Sequence, residues 1–490
     1  MLSQVVAIWP PVAMARNMRH NRDMPRRCIT LTVLLLTINC SAEAPPTDVT
    51  LFTISSPKRL EISSALEAPD GSTYITGRYE DELSLGATTY GDEPGSGLTI
   101  FIAKLSSADE VLWSRIIERD GSSSMATTKN ASGHARTDVA MGMALDSTGD
   151  LVITGALDSE ASADFGGGPV AQFEPMSLPG AFVAKYSPDG ALRWAHWVWE
   201  RAGDYRSVPS VPVIDGADNI IFSLDAGGDV DLGGGPITIS EYGLFKLDPA
   251  GEVLFQRELY PANNEGGFIT CTPAPPVAVT GDARIFVSTM FQGIIDLGMA
   301  PIGTDGAWES FLAEYSSDGE LLSVHSYPES VPDVEDSAFQ ARTIAVTPAG
   351  DVVLSGEDFV MSGSEEGVTG GLKVLTSDGQ ERWARTFHVR NWFDQNGPTR
   401  VVDMVVSRER FIAVYGSNAI YGYDFDGELV WQHDYGKQER SRLWTISASS
   451  EHDVVLSGAI SAPDVFQFDG IELKPEDGFT AFALKYNVQL

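Results

Sequence analysis

Short apolar runs alternate with clusters of Gly, Asp, Ser and Pro along most of the chain, and the alternation keeps a fixed order. It is clearest between Asp138 and Trp194. Val139–Leu145 is apolar and rich in small residues, as a strand buried on both faces would be. Asp146-Ser147-Thr148-Gly149-Asp150 reads as a turn, because Gly tolerates positive φ and Asp and Ser bond to nearby backbone. Leu151–Gly155 is β-branched and reads as a second strand. Asp164–Pro169 holds three glycines and a proline, which excludes helix. Ala181–Tyr186 is a third strand, Ser187-Pro188-Asp189-Gly190 a tight turn, and Ala191–Trp194 opens a fourth strand. Four antiparallel strands joined this way leave apolar faces bare, so the unit needs neighbours of its own kind.

Such neighbours are present. The first hairpin recurs near residues 68, 147, 216, 280, 348, 407 and 451, in forms such as APDGSTYITG, PAGDVVLSG and EHDVVLSG. The second recurs in six complete copies, among them FIAKLSSADEVLW, LFKLDPAGEVLF and IYGYDFDGELVW. DFGGGPV returns as DLGGGPI and DLGMAPI, with VFQFDGIEL a worn copy. The seventh unit stops after Phe479–Tyr486 without an outermost strand, while Asp48–Ile54 is strand-like and belongs to no unit. Circular closure accounts for both, since the first strand then completes the last sheet. The expected fold is all-β: a seven-bladed β-propeller of four-stranded antiparallel blades, closed by the N-terminal strand completing the last blade. An open solenoid of meanders would leave two bare ends.

The order xxAxDxxGDxxxTG, DFGGG, FVAKYxxDGxxxW resembles the bacterial secreted β-propeller repeat proteins (SBBP-like repeats) over most of residues 48–490. Tyr421–Trp431 is similar to the tryptophan-ended repeat of quinoprotein-like propellers. The second resemblance implies either a quinone enzyme or a non-enzymatic scaffold lipoprotein. The enzyme would be expected to bring cofactor-clamping residues and often paired cysteines. Beyond the leader the only cysteine is Cys271, which is expected to be an unpaired buried thiol. Fold alone does not decide between such functions.

Residues 1–23 show no pattern and are expected to be an unstructured extension or a mis-assigned start. Met24-Pro25-Arg26-Arg27 followed by Ile29–Ile38 reads as an export signal over 24–40, with an apolar run far short of the ~20 residues that span a bilayer. Cys40 stands where a lipid-attachment cysteine would stand, although Thr37 and Asn39 depart from the usual Leu at −3 and Gly or Ala at −1. Cleavage near Ala42 with free secretion is the alternative. Residues 41–47 are then a short tether, and 48–490 a single propeller domain. The expected location is the outer membrane, as a lipoprotein, or outside the cell.

The formal net charge is −35, with 33 Lys+Arg against 68 Asp+Glu. The segment through Cys40 carries five arginines and one aspartate, so the remainder stands at −39. Such a surface repels nucleic acid and anionic headgroups, leaving membrane contact to the anchor. A soluble monomer is expected.

Candidate chemistry is sparse. Asp146–Asp150, Asp229-Val230-Asp231 and Asp424-Phe425-Asp426-Gly427 alternate carboxylates as calcium loops do, but none completes the twelve-residue pattern with a terminal Glu. Asp-Gly hairpins explain them, and calcium is the one cofactor left open. The seven histidines show no paired zinc spacing. No carboxylate stands apart as a glycosidase acid would, and no residue is assigned catalysis. Arg136, Arg206, Arg342, Arg400 and Arg442 each fall shortly before an expected innermost strand. They are candidates to surround the mouth of the central channel and hold an anion or acidic partner; alternatively each ties its loop to a neighbouring blade. The same connections, 118–138, 198–210, 258–276, 325–341 and 386–400, are long and carry Tyr205, Trp392 and Phe393, suited to anchoring a partner or plugging the loop. Trp113, Trp194, Trp383 and Trp431 recur at one place in the repeat and are expected to pack blades. The expected function is binding or scaffolding of a protein or glycan through the loop face; a hydrolase or lyase with its site in the central channel is the alternative.

Overall fold

The computed structural model describes residues 49–487 apart from 92–97, 121–138, 158–161, 172–179, 201–206, 260–267, 271–273, 328–336, 361–368, 389–402, 408–410, 416–418, 435–441, 449–452, 469–470 and 476–477. Seven antiparallel blades form a propeller ring. Blade 1 runs from inside outward as Leu60–Glu67, Thr73–Glu80, Leu98–Leu105 and Val111–Ile116. Blade 2 repeats this as Val139–Leu145, Leu151–Leu157, Gly180–Tyr186 and Leu192–Glu200. Blades 3 to 6 follow the same order, with their third strands at Tyr242–Leu247, Trp308–Tyr315, Thr369–Leu375 and Ala419–Tyr423. Blade 7 takes Arg442–Ala448, Asp453–Ser461 and Phe479–Asn487 from the last unit and Val49–Ser56 from the segment before the first. The closing pair is antiparallel, with Val49 opposite Tyr486 and Ile54 opposite Ala481, as circular closure requires.

The core is a set of layers between blades. Each main hydrophobic cluster bridges two neighbours. Leu151 and Ile153 face blade 1, where Ile100, Ile102 and Tyr74 meet them. Val152, between them in sequence, faces blade 3 and packs with Phe222 and Phe245. A period of two with both faces apolar is what makes these strands read as continuous hydrophobic runs.

Polar positions of the repeat stitch blades together. The Nε1 of Trp113 donates to Pro188 O at 3.0 Å, that of Trp194 to Pro249 O at 3.1 Å, and that of Trp383 to Phe425 O at 3.0 Å. Each acceptor lies in the last turn of the next blade. The turn glycine there lies flat on the indole; a Cβ on Gly190 would sit 2.6 Å from Trp113. Phe255 takes the same place in blade 3, under Gly319; in blade 4 that repeat position is Ser323, and His325, two residues on, lies under Gly379. Trp431 packs instead on Phe411 and Tyr486, at centroid distances of 6.1 and 6.2 Å. The recurrent Trp positions are thus packing positions. The lysine of the third strand is also structural: Lys185 pairs with Asp146 at 2.8 Å and Lys246 with Asp215 at 2.9 Å, all four side chains buried. Blade 4 inverts the charges, with Arg284 on Glu314 at 2.8 Å.

The glycine-rich middle element is a small hairpin outside the ring, and two copies also tie neighbouring blades. Ser162–Asp164 pairs with Glu118–Asp120, which follows the outermost strand of blade 1. Gly228–Asp231 pairs with Trp199 and Glu200 of blade 2. In both, an aspartate arrests the loop: Asp164 Oδ1 accepts the N–H of Gly166 and Gly168, and Asp231 Oδ1 that of Gly233 and Gly235, at 2.7–3.1 Å.

Candidate functional site

The innermost strands carry a shared irregularity. Pairing with the second strand slips by one residue at Ser63, Met141, Arg342 and Trp444 in blades 1, 2, 5 and 7. The residue opposite the slip is a glycine of the Thr-Gly or Ser-Gly repeat. A Cβ on Gly77 would lie 2.0 Å from Glu61 O, and one on Gly356 the same from Gln340 O, so only glycine lets the strands close there. A bulge bends its strand and re-aims a side chain. Here the bulges ring the axis.

All seven blades line one axial cavity of about 230 Å³. Met143, Val277, Ile344, Met404 and Ile446 give it an aliphatic wall, and Ser64, Ser210, Thr343, Thr445 and Ser447 add hydroxyls. Its ionisable groups among the described residues are two, Arg342 of blade 5 and Asp403 of blade 6. Asp403 Oδ1 accepts the N–H of Met404 at 2.8 Å, and Oδ2 accepts the N–H of Ile446, on blade 7, at 3.0 Å. The carboxyl keeps some surface on the cavity but lies deep in the ring. Burial pushes its pKa up to about 7, against the opposing pull of the two backbone N–H groups.

The sequence places only one of its candidates here. Arg342 lines the cavity, but it stands inside the innermost strand Ser337–Val346, not in the connection before it. The bulge hides this from sequence, since an arginine in an apolar strand reads as a loop residue. Arg442 opens the innermost strand of blade 7. Arg136, Arg206, Arg400, Tyr205, Trp392, Phe393, Cys271 and Cys40 lie outside the described residues, as do the middles of the long connections. Asp403 is the residue that sequence reasoning passed over. The signal was available: its counterparts in the other copies are Ser64, Gly142, Val211, Pro276, Thr343 and Thr445, and it alone of the seven is charged.

Two of the three calcium-like stretches are hairpin turns, whereas Asp229-Val230-Asp231 lies in the strand Gly228–Asp231. Asp146 Oδ1 accepts the N–H of Thr148 and Asp150, both at 2.9 Å, and Asp424 Oδ1 that of Asp426 and Glu428, at 3.0 and 2.8 Å. Among the described residues no three His, Cys, Asp or Glu side chains converge as metal ligands would.

No known family matches the chain, and no curated protein matches it. Similar solved structures include an ulvan lyase of a polysaccharide lyase family, 12% identical over 87% of this chain and 97% of that one, with a TM-score of 0.42. A protein of unknown function from Dyadobacter fermentans is 9% identical over 91% and 99%, with a TM-score of 0.41. An α-L-arabinofuranosidase from Fusarium graminearum is 10% identical over 91% and 98%, with a TM-score of 0.37. Likenesses this distant carry no argument, and the propeller assignment stands on the strand pairing itself.

Proposed function

We propose that this chain is an exported, non-catalytic β-propeller that binds a protein or glycan through the face carrying its long outer-to-inner connections. One observation carries the reading. Asp403 is the only acid among the described residues lining the axial cavity, and both its oxygens are engaged by backbone N–H groups. Hydrolysis of a glycosidic bond uses two carboxyl groups across a cleft, about 5–9 Å apart. A wall of aliphatic side chains with one engaged carboxyl supports binding over hydrolysis. Export rests on the leader at 24–40, with Cys40 as the proposed lipid site, and on the resemblance to secreted repeat proteins. The charge of −35 favours a partner presenting basic or neutral polar groups.

The test pairs a pull-down from envelope extracts with a glycan array, both using the whole protein. Saturable retention of one protein or one glycan class, without change to that glycan, is the expected result. Release of shortened or unsaturated sugars from a retained glycan would replace this reading with the lyase or hydrolase alternative.

A further inference from the structure

Ring closure does not account for Asp403. Ile446 lies in the innermost strand of blade 7, Arg442–Ala448, which pairs on one side with Asp453–Ser461. An innermost strand has a single neighbour in its sheet, so its other edge faces the axis. The N–H that Ile446 gives to Asp403 Oδ2 leaves by that edge, which sets the carboxyl on the axial side of blade 7, along the cavity. Accepting a backbone N–H does not require a carboxyl. In blade 3 the hydroxyl of Ser210 accepts the N–H of Ser223 at 3.0 Å. Burial and the two N–H groups govern the titration of Asp403, and no cation among the described residues contributes to it. An ionised carboxylate in such a place is costly unless a positive charge meets it.

We propose that the axial cavity binds a small aliphatic primary ammonium ion, its charged end held by the Asp403 carboxylate and its hydrocarbon part by the cavity wall. An ionised carboxylate offers about four lone-pair sites, of which the N–H groups of Met404 and Ile446 take two. An ammonium brings three donors, and the bond between the two ions is charge-assisted. A further acceptor stands on blade 7. Ser447 lines the same cavity, and because its hydroxyl hydrogen is given to Ala65 O at 2.7 Å, its oxygen is left to accept. Met143, Val277, Met404 and Ile446 supply the apolar surface. Arg342, the other ionisable residue of the lining, stands on blade 5, has a partner within the protein and takes no part in the site. A cavity of about 230 Å³ falls below the ~300–1,000 Å³ of sites for drug-sized ligands. A chain of a few carbons fits that space, and a polysaccharide or peptide does not.

The test is calorimetric titration of the whole protein with n-butylammonium chloride at about pH 8, where the Asp403 carboxyl is ionised. Sodium butyrate and 1-butanol serve as an anion and a neutral molecule of similar size, and methylammonium chloride as a cation without the hydrocarbon chain. n-Butylammonium is expected to bind one per chain, at least about tenfold more tightly than butyrate or 1-butanol and at least about tenfold more tightly than methylammonium. Asp403→Asn keeps an oxygen for a backbone N–H but loses the charge, and should weaken n-butylammonium by at least about tenfold. The proposal is overturned if n-butylammonium does not bind, if it binds no more tightly than any one of the three comparison molecules, or if Asp403→Asn binds it undiminished. Should Asp403→Asn fail to fold, the comparison of the four molecules on the unaltered protein decides alone.

Discussion

Asp403 shows how one residue is read differently by sequence and by structure. In the sequence it is one of 68 acids; in the ring it is a carboxyl caught between burial, which favours its neutral form, and two backbone N–H groups, which favour its anion. Burial wins, so between about pH 4 and about pH 7 the folded chain holds a proton that the unfolded chain has released. Unfolding then releases a proton, and this group's contribution to stability falls as pH rises through that window and is flat above it. Asp403→Asn should remove the slope. Its stability relative to the unaltered protein should climb with pH by up to ~1.4 kcal/mol per unit there, read as the difference between two urea-midpoint series. A constant difference would show that the carboxyl is ionised throughout. Turn positions offer a simpler case. Ala283 sits at φ +64° and Gly319 at φ +79°, in equivalent places of their hairpins. The left-handed conformation costs a residue with a Cβ about 1–2 kcal/mol, partly offset by the extra freedom glycine gives the unfolded chain. Ala283→Gly should therefore stabilise by about 0.5–1 kcal/mol. Gly319→Ala should destabilise by about 2 kcal/mol, because its Cβ would also lie 2.9 Å from Phe255. Urea midpoints of the two variants moving in the same direction would contradict the assignment.

At the scale of strands and hairpins, legibility followed periodicity. The first and second hairpins were readable because Gly and Asp fall at fixed offsets between apolar runs, and the turns at 146–150, 187–191 and 424–428 lie where that pattern put them. The recurrent tryptophan was readable as packing, although its target was not: the indole serves the next blade's turn, and nothing local in sequence says so. The belts made by Ser162–Asp164 and Gly228–Asp231 were likewise unreadable, since their partners belong to another repeat. The inner-strand bulge was half-visible. The Thr-Gly and Ser-Gly pairs mark it, but only the pairing shows that the opposite strand carries the extra residue. Trp383 tests the inter-blade role. Trp383→Ala removes the hydrogen bond to Phe425 O and the contact with Gly427. The residue is half-buried, so the expected cost is about 2–3 kcal/mol, below the ~3–5 of a fully buried aromatic. Trp383→Phe should keep the contact and cost about 1 kcal/mol. If hydrogen exchange in the alanine variant accelerates in blade 5 alone, and not also in the Asp424–Glu428 turn of blade 6, the residue serves its own sheet and not the junction.

For the whole molecule the decisive fact is that the first described strand, Val49–Ser56, pairs with the last, Phe479–Asn487. Two features count in the sequence, an unfinished seventh unit and an orphan first strand, sufficed to foresee it, because a missing strand and a spare one have a single economical solution in a ring. The expected arginine cluster was less accessible to the same reasoning: Arg136, Arg206 and Arg400 fall in connections between repeats, outside the described residues, and Arg342 is the one of the five that the described structure brings to the cavity. Closure is reinforced from both sides of the seam. Ser447 Oγ donates to Ala65 O at 2.7 Å, and Lys485 pairs with Glu67 at 2.6 Å and Asp453 at 3.3 Å, so blade 7 is joined to blade 1 by side chains as well as by the strand exchange. Val49–Ser56 also fills space: Ile54 and Phe52 enter the cluster between blades 7 and 1, and Leu51 that between blades 6 and 7. Burying such side chains is worth roughly 1.5–3 kcal/mol each when complete. Even discounted for the half-exposed Leu51 and Phe52, the strand supplies about 5 kcal/mol, a large share of the ~5–15 kcal/mol that holds a typical domain together. Deleting residues 48–56 should therefore lower the thermal midpoint by about 5 °C. It should also expose the edge of Phe479–Asn487, so that sedimentation velocity finds more concentration-dependent association than in the unaltered protein. A synthetic peptide of residues 48–56 added in excess should reverse both effects by occupying that edge. A deletion variant with unchanged association and an unchanged midpoint would mean that the ring holds without its seam.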